Sequence, residues 1–347
     1  MAKTIFDLVT SKNITTYWET MTKDRQPFLG ETLFPNQKKL GLDLKWIKGS
    51  SGIPVVLKPS AFDANAVPRT RIGFDQLSAD MPFFKESLPI NETLRQQLNM
   101  LLGGNNPEYV KVVLDRIFND NMALLEAAAV RREQMRMMAL TTGAISIKAN
   151  GQDLEFDYGM PSTHKVDAAT AWSNSSADIG ADIMKGQDTI EADTGVRPTR
   201  AVCGRKVWNE MLKNETFKKS IHVLSQGQAT LTDNDLKKYL MDKYNLEVLV
   251  YSKQYKNDTG TPTKYVPDDV FVLFPTGDLG YTWFGTTPEE SDLLTSRLAR
   301  VSITDTGVAV TTMEKPDPVT IEVKATMITL PSFEMADQVY IIDTTAA

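Results

Sequence analysis

The sequence is poor in the side chains on which most enzymes and metal proteins rely. Its 347 residues include one cysteine and two histidines. A single thiol, Cys203, excludes an intrachain disulfide framework and fits assembly in a reducing compartment. Acids outnumber bases 44 to 38, for a formal charge of -6, so the chain as a whole lacks the basic footprint of a nucleic-acid reader. No run of about 18 apolar residues occurs, which argues against a helical membrane span. The start, Met1-Ala2-Lys3-Thr4-Ile5-Phe6-Asp7, is too polar for a signal peptide. There is no Gly-x-Ser-x-Gly elbow, phosphate loop, dinucleotide fingerprint or zinc spacing. Asp233-Asn234-Asp235 lacks the Gly and distal Glu of a calcium loop and reads as a helix start. Nothing in their spacing pairs Cys203 with His222, and a cysteine in an apolar strand is ordinarily inert core. No catalytic residue, metal or cofactor is expected.

What the chain does have is one long helical stretch, Pro107 to Leu140. Asn106 suits the N-cap and Pro107 the first helical position, where a missing N–H costs nothing. No further Gly or Pro interrupts the run until Gly143 stops it. At 1.5 Å per residue such a helix is roughly 50 Å long, far beyond the usual three or four turns. Apolar residues recur at Val110, Val113, Leu114, Ile117, Leu124, Leu125, Ala128, Met135, Met138 and Ala139, a stripe able to lie on a sheet. Lys111, Asp115, Glu126, Arg131, Arg132, Glu133 and Arg136 are expected to point mostly away from it.

Around this helix the pattern changes several times. Residues 4–20 suit a short amphipathic helix, and 22–37 read as an irregular strap broken by Pro27, Gly30 and Pro35. Residues 42–48 and 69–77 alternate apolar and polar, with a polar, small-residue stretch 59–68 between them: a long two-stranded excursion with little core of its own. Residues 36–90 hold eight Lys or Arg against five acids, a local +3 that leaves about -9 for the rest. A basic excursion on an acidic body favours contact with a neighbour, although a merely solvated hairpin fits the same residues. A short helix over 91–102 follows. After the long helix, residues 144–148 and 154–158 alternate around Asn150-Gly151, a strong hairpin signal. Residues 166–296 mix helices (176–193, 204–213, 233–244) with strands (200–203, 246–251, 270–274). The acids Asp178, Asp182, Asp188, Glu191 and Asp193 read as a solvated helix face. Residues 320–326 and 338–342 read as strands returning to the sheet under the long helix.

Certain stretches are similar to a known family. Glu126-Ala127-Ala128-Ala129-Val130 through Met138, then a small hairpin ending Asp157-Tyr158-Gly159-Met160, resembles the helix and Asp-x-Gly of the lambda-type major head proteins of tailed double-stranded DNA phages. Leu249-Val250-Tyr251-Ser252-Lys253-Gln254-Tyr255 and Tyr265-Val266-Pro267-Asp268-Asp269-Val270 are similar to the family's Val-Tyr-Ser-x-Gln-Tyr and Leu-Pro-Asp-Asn stretches. The order of parts matches over almost the whole chain. The resemblance implies an α+β Hong-Kong-97-type capsid fold: an N-terminal arm (1–37), an extended hairpin or E-loop (38–90), a peripheral domain with its spine helix (91–165), an α/β axial domain (166–296) and C-terminal strands rejoining the peripheral domain (297–347).

It implies a structural subunit that assembles into hexamers and pentamers of an icosahedral head, in the host cytoplasm, around double-stranded DNA held without sequence specificity. The expected partners are other copies, a scaffolding protein, a portal and a decoration protein, with no membrane. With the arm beginning near residue 1, the scaffold is expected as a separate protein. Candidate inter-subunit contacts are Trp18, Lys45, Trp46, Lys48, Lys58, Arg69 and Arg71. Some relatives form Lys–Asn links; Lys58 is the tempting donor here, with no acceptor assigned. Two alternatives stay open at this level: an encapsulin-like shell around cargo, and an α/β enzyme with its site in 166–296.

Overall fold

A computed structural model describes residues 5–48, 75–90, 92–103, 107–149, 151–221, 230–257, 259–296, 299–316 and 319–345. The chain divides into two compact units, each built from discontinuous segments.

The first unit holds residues 1–44, 78–135 and 281–332. Its centre is the strand Val319–Pro331. Val308–Pro316 runs antiparallel along one side of it, and Arg300–Thr304 adds outside that. Phe83–Pro89 pairs antiparallel with residues 322–328, and Thr282–Phe284 with residues 329–331. Asn36–Lys38 joins Thr282–Phe284 in parallel. The inward-facing residues Val308, Val310, Ile321, Val323 and Met327 meet Ile117, Leu124 and Leu125 of the spine helix in one buried cluster. The spine helix spans Pro107–Thr142, within two residues of the expected end, and Gly143 follows it at φ +70°. A second helix, Ser11–Thr22, lies against Arg300–Thr304 and Val308–Pro316, capped by the Thr10 hydroxyl accepting from Asn13 N–H.

The second unit holds residues 45–77, 136–280 and 333–347. Its five-stranded sheet runs in the order Lys165–Asp167, Tyr340–Asp343, Val270–Phe274, Arg200–Cys203, Glu247–Val250. Ile179–Thr194, Arg205–Lys213, Glu215–Ile221 and Asp233–Tyr244 are its helices. Thr232 caps the last by accepting from Asp235 N–H, as its sequence foretells. Trp172, Trp208, Phe217, Phe271 and Tyr340 fill the core. A hairpin, Ala144–Ala149 with Gln152–Asp157, turns through Gly151 at φ +73°.

Several expectations need correction. Tyr340–Asp343 does not join the first sheet: it is an interior strand of the second sheet, flanked by Val270–Phe274 and Lys165–Asp167. Its continuous apolar run, Val339-Tyr340-Ile341-Ile342, suits a strand covered on both faces. Thr282–Phe284, expected with the axial domain, belongs instead to the first sheet. Arg132, Glu133 and Arg136 do not face solvent; all three are buried. From residue 129 to 141 the helix has no exposed position, so no polar face is left for them. The acids of the helix Ile179–Thr194 do lie on a largely solvated face, as expected, with Asp182 half-buried, and they also serve as local acceptors. Asp178 caps the helix, Asp182 takes the Trp172 indole N–H at 2.8 Å, and Asp193 holds buried His164 at 2.8 Å. Asp188 and Glu191 both hold Arg197. His222 and the possible Cys203–His222 pair lie outside the described residues. Cys203 is fully buried, and burial pushes its thiol up to about 12.

Two outcomes test this packing. A Cβ on Gly186 would come within 2.7 Å of both Leu273 and Tyr340, so Gly186→Ala should destabilise the second unit by about 1–3 kcal/mol in urea unfolding. Glu289 is buried in the first unit, and burial alone would raise its pKa. The Lys324 ammonium at 2.5 Å, its own backbone N–H and the Thr326 hydroxyl at 3.0 Å outweigh burial and hold it below the usual value. A depressed carboxylate pKa adds stability above the unfolded value of about 4.3 and loses it as pH falls through the folded value. Wild-type protein should therefore lose more stability than Glu289→Gln between about pH 5 and pH 3, read as urea midpoints.

Candidate inter-subunit surface

The excursion expected to reach a neighbour begins as a two-stranded ribbon, Asp43–Lys48 paired with Asp75–Asp80. Lys45 is exposed on it. Trp46 and Lys48 lie on the same strand, while Lys58, Arg69 and Arg71 fall outside the described residues. The ribbon's base carries apolar side chains left in water: Leu40 is 85% exposed and Leu42 51%. Leu42 is tied to the link between Asp75–Asp80 and Phe83–Pro89, its carbonyl accepting from Met81 N–H at 3.0 Å. Phe83 and Leu88, on the sheet strand that follows, are also exposed. Phe83–Pro89 is exposed at six of its seven residues and, among the described residues, pairs only with Val319–Pro331. Exposed apolar side chains and an open sheet edge make this the candidate surface for contact with another chain. Sequence reasoning singled out the charged and aromatic residues of the excursion and missed these aliphatic ones. The signal was present in Leu40-Gly41-Leu42, where two leucines flank a glycine at φ +88° whose Cβ position is open.

Trp18 occupies a different place. It is 4% exposed, inside its own unit, and its indole N–H donates to Asp305 Oδ1 at 3.1 Å. Asp305 Oδ2 accepts from Arg132 Nη2 at 2.8 Å. One carboxylate thus fastens the helix Ser11–Thr22 and the spine helix to the turn between Arg300–Thr304 and Val308–Pro316. That turn is strained: Asp305 and Thr306 stand at φ +47° and +74°, where a β-branched residue is rare. Gly307 is needed next, because a Cβ there would lie 2.6 Å from the Phe284 ring. Beneath it, the Arg132 guanidinium sits 5.6 Å from the centre of that ring. Nearby, Glu133 Oε1 accepts from Gly30 N–H at 3.0 Å and ties the irregular strap to the same helix.

Among the described residues no group of His, Cys, Asp or Glu could hold a metal ion, and no helix is long and apolar enough to cross a membrane. A family model described as phage major capsid protein E matches residues 10–343. The chain belongs to that family. It is a major capsid subunit of a tailed phage, located in the virion and forming a shell from copies of itself. No curated protein matches it in sequence. Among solved structures, a prophage capsid protein of Escherichia coli is similar at TM-score 0.63 and 16% identity, covering 96% of this chain and 99% of that one. A phage-related protein of Bordetella bronchiseptica is similar at TM-score 0.56 and 12% identity, covering 95% and 96%. The capsid of cyanophage A-1(L) gives 0.53 at 11% identity, covering 92% and 93%. At such identities the likeness is one of fold, and that fold is the Hong-Kong-97 type.

Two outcomes probe the fastening of this capsid subunit. Asp305→Ala leaves the Arg132 guanidinium buried without its partner and should cost about 3–5 kcal/mol in chemical unfolding of the subunit. Thr306→Gly relieves the positive φ and should raise stability by roughly 1 kcal/mol in the same measurement.

Proposed function

We propose that the subunits join as hexamers and pentamers of an icosahedral head that encloses double-stranded DNA, and that the ribbon rooted at Asp43–Lys48 and Asp75–Asp80 is the E-loop laid over an adjacent subunit. Lys45, Trp46 and Lys48 on the described strand, with Lys58, Arg69 and Arg71 beyond it, are the contacts of that arm. The observation that carries this is the ribbon itself. It consists of two strands, and its base leaves Leu40 and Leu42 in water. A two-stranded ribbon is marginal alone and gains stability by resting on a second surface. Its +3 charge against the acidic remainder favours a heterologous contact, which closes into rings and shells when the rotation allows.

In this reading residues 91–165 form the core of the peripheral domain, and the α/β unit around Val270–Phe274 surrounds the five-fold and six-fold axes. Assembly takes place in the host cytoplasm on a scaffolding protein, with a portal at one vertex and a decoration protein on the outside. The packaged DNA is held without sequence recognition. We read the role as structural, with no catalytic step and no cofactor.

Electron microscopy of the chain expressed with its genomic neighbours tests the assembly. Closed icosahedral shells that protect DNA from nuclease are expected, and discrete small oligomers under every condition would overturn the reading. The arm has its own test. Lys45→Glu with Lys48→Glu should reduce shell yield about tenfold while leaving the free subunit folded. Wild-type yield from that double variant would remove the arm from the interface.

A further inference from the structure

The strand Phe83–Pro89 ends the first sheet on one side, and its register fixes which backbone groups face outward. Thr329 N–H donates to Pro82 C=O at 3.3 Å and Ile90 N–H to Ile321 C=O at 2.8 Å, one at each end of the pairing with Val319–Pro331. Antiparallel bonding alternates along a strand. Even-numbered residues from 82 to 90 therefore aim their N–H and C=O at the centre strand, and odd-numbered ones aim theirs away from it. Among the described residues nothing pairs with that outer side. It offers the N–H groups of Phe83, Lys85 and Ser87, and at the next outward position Pro89 has none. Side chains alternate as well. Glu86 stands opposite Ala325, on the face that carries Phe84, Val323 and Met327 into the buried cluster, yet it is exposed at the margin of that core. Lys85 stands opposite Thr326 on the other face and is also exposed. An open edge of this kind is a template for a further strand.

The same edge of a second copy carries donors and acceptors in the same phase. Two such edges pair antiparallel about a two-fold axis only where odd residues face odd and even face even. The fullest register spans all 7 residues and sets Phe84 of each copy against Leu88 of the other, two apolar cross-strand pairs in its favour. Its centre sets Glu86 against Glu86, at a position where the Cα atoms stand about 4.5 Å apart. Moving the axis by one residue sets Lys85 against Lys85. Lys85 never faces Glu86, because an outward-bonding residue would then face an inward-bonding one. We propose that Glu86 and Lys85 guard this edge against the same edge of another copy, with Pro89 closing its end, so that free subunits do not pair sheet to sheet. Glu86 carries most of the effect. Pairing there covers a carboxylate on the core side of the sheet, and like charges directly opposite destabilise the pair. The exclusion applies to the like edge only. It concerns the free subunit and does not rest on how the shell is built.

Sedimentation velocity and amide exchange of the free full-length subunit, held too dilute to assemble, test this. Wild type should sediment as a monomer, with the amides of Phe83, Lys85 and Ser87 exchanging at least about tenfold faster than those of Phe84, Glu86 and Leu88. Glu86→Val combined with Lys85→Thr places good strand formers at two exposed positions. That variant should self-associate about tenfold more tightly, and its dimer should protect the three outward amides. Glu86→Lys supplies a test of sign. Alone it keeps like charges at the centre and should stay monomeric, whereas mixed with wild type it sets a lysine against Glu86 and should form mixed dimers. A double variant as monomeric as wild type overturns the inference. So does a mixture of Glu86→Lys and wild type without mixed dimers, or association that leaves the outward amides unprotected. Outward amides already protected in the wild-type monomer overturn it too, because the edge is then covered by its own chain. Wild-type dimers joined at this edge do the same.

Discussion

One carboxylate holds together three parts of the first unit that are far apart in sequence. Asp305 binds the indole of Trp18 and the guanidinium of Arg132 at the same time. Without it the arm helix would keep only its apolar contacts and the lesser polar ties of Thr15 to Ser302 and Tyr17 to Asn119, and a guanidinium would stand buried beside an aromatic ring. The turn that presents Asp305 has two non-glycine residues at positive φ, so the backbone is held in an unfavourable shape by the contacts around it. Gly307 lets the turn approach Phe284, which in turn lies over the same guanidinium. Strain, charge and packing are therefore coupled at one corner of the sheet.

The spine helix shows where sequence reasoning works and where it stops. Its start at Pro107 and its end before Gly143 are legible because Pro and Gly act through local backbone geometry. Its amphipathic face is legible in the first half, where Ile117, Leu124 and Leu125 are buried while Lys111, Glu126 and Ala127 are exposed. In the second half the same rule fails. Only a half-buried strip of Val130, Arg131, Gln134 and Met138 is left there, and Arg132 and Glu133 are placed by partners at Asp305 and Gly30 that no local window contains. Hydrophobic periodicity reports a face turned to water, and a segment whose outer strip is only half-exposed gives it little to report.

The same division runs through the sheets. The strands 200–203 and 270–274, and the capped start at Thr232, follow from short patterns. The sheet to which each strand belongs does not. Thr282–Phe284 and Tyr340–Asp343 each lie in the sheet opposite to the expected one, because pairing is set by tertiary contacts rather than by alternation. For the candidate surface, composition gave the charged ribbon and the resemblance gave its role. The exposed leucines at its base became visible only with burial known, since Leu40 and Leu42 look like ordinary core residues in a sequence. Trp18 misled for the converse reason: an aromatic residue in an irregular arm reads as a contact for a neighbour, and here it is the anchor of its own subunit.

The strand Val319–Pro331 carries a consequence for the growing chain. It pairs with Phe83–Pro89, roughly 240 residues earlier, and also with Thr282–Phe284 and Val308–Pro316. On the ribosome, at about 5–20 residues per second, the early strand waits some ten to fifty seconds for that partner. Throughout that interval the Phe83–Pro89 segment is without its sheet neighbour, with Phe83 and Leu88 among its side chains. Long-range pairing of this kind is slow, and open edges invite association with the wrong chain. The subunit's most hazardous period therefore comes before residues 319–331 emerge. The sheet closes only once that strand has been made, and a chain stopped short of it cannot complete the fold of the first unit.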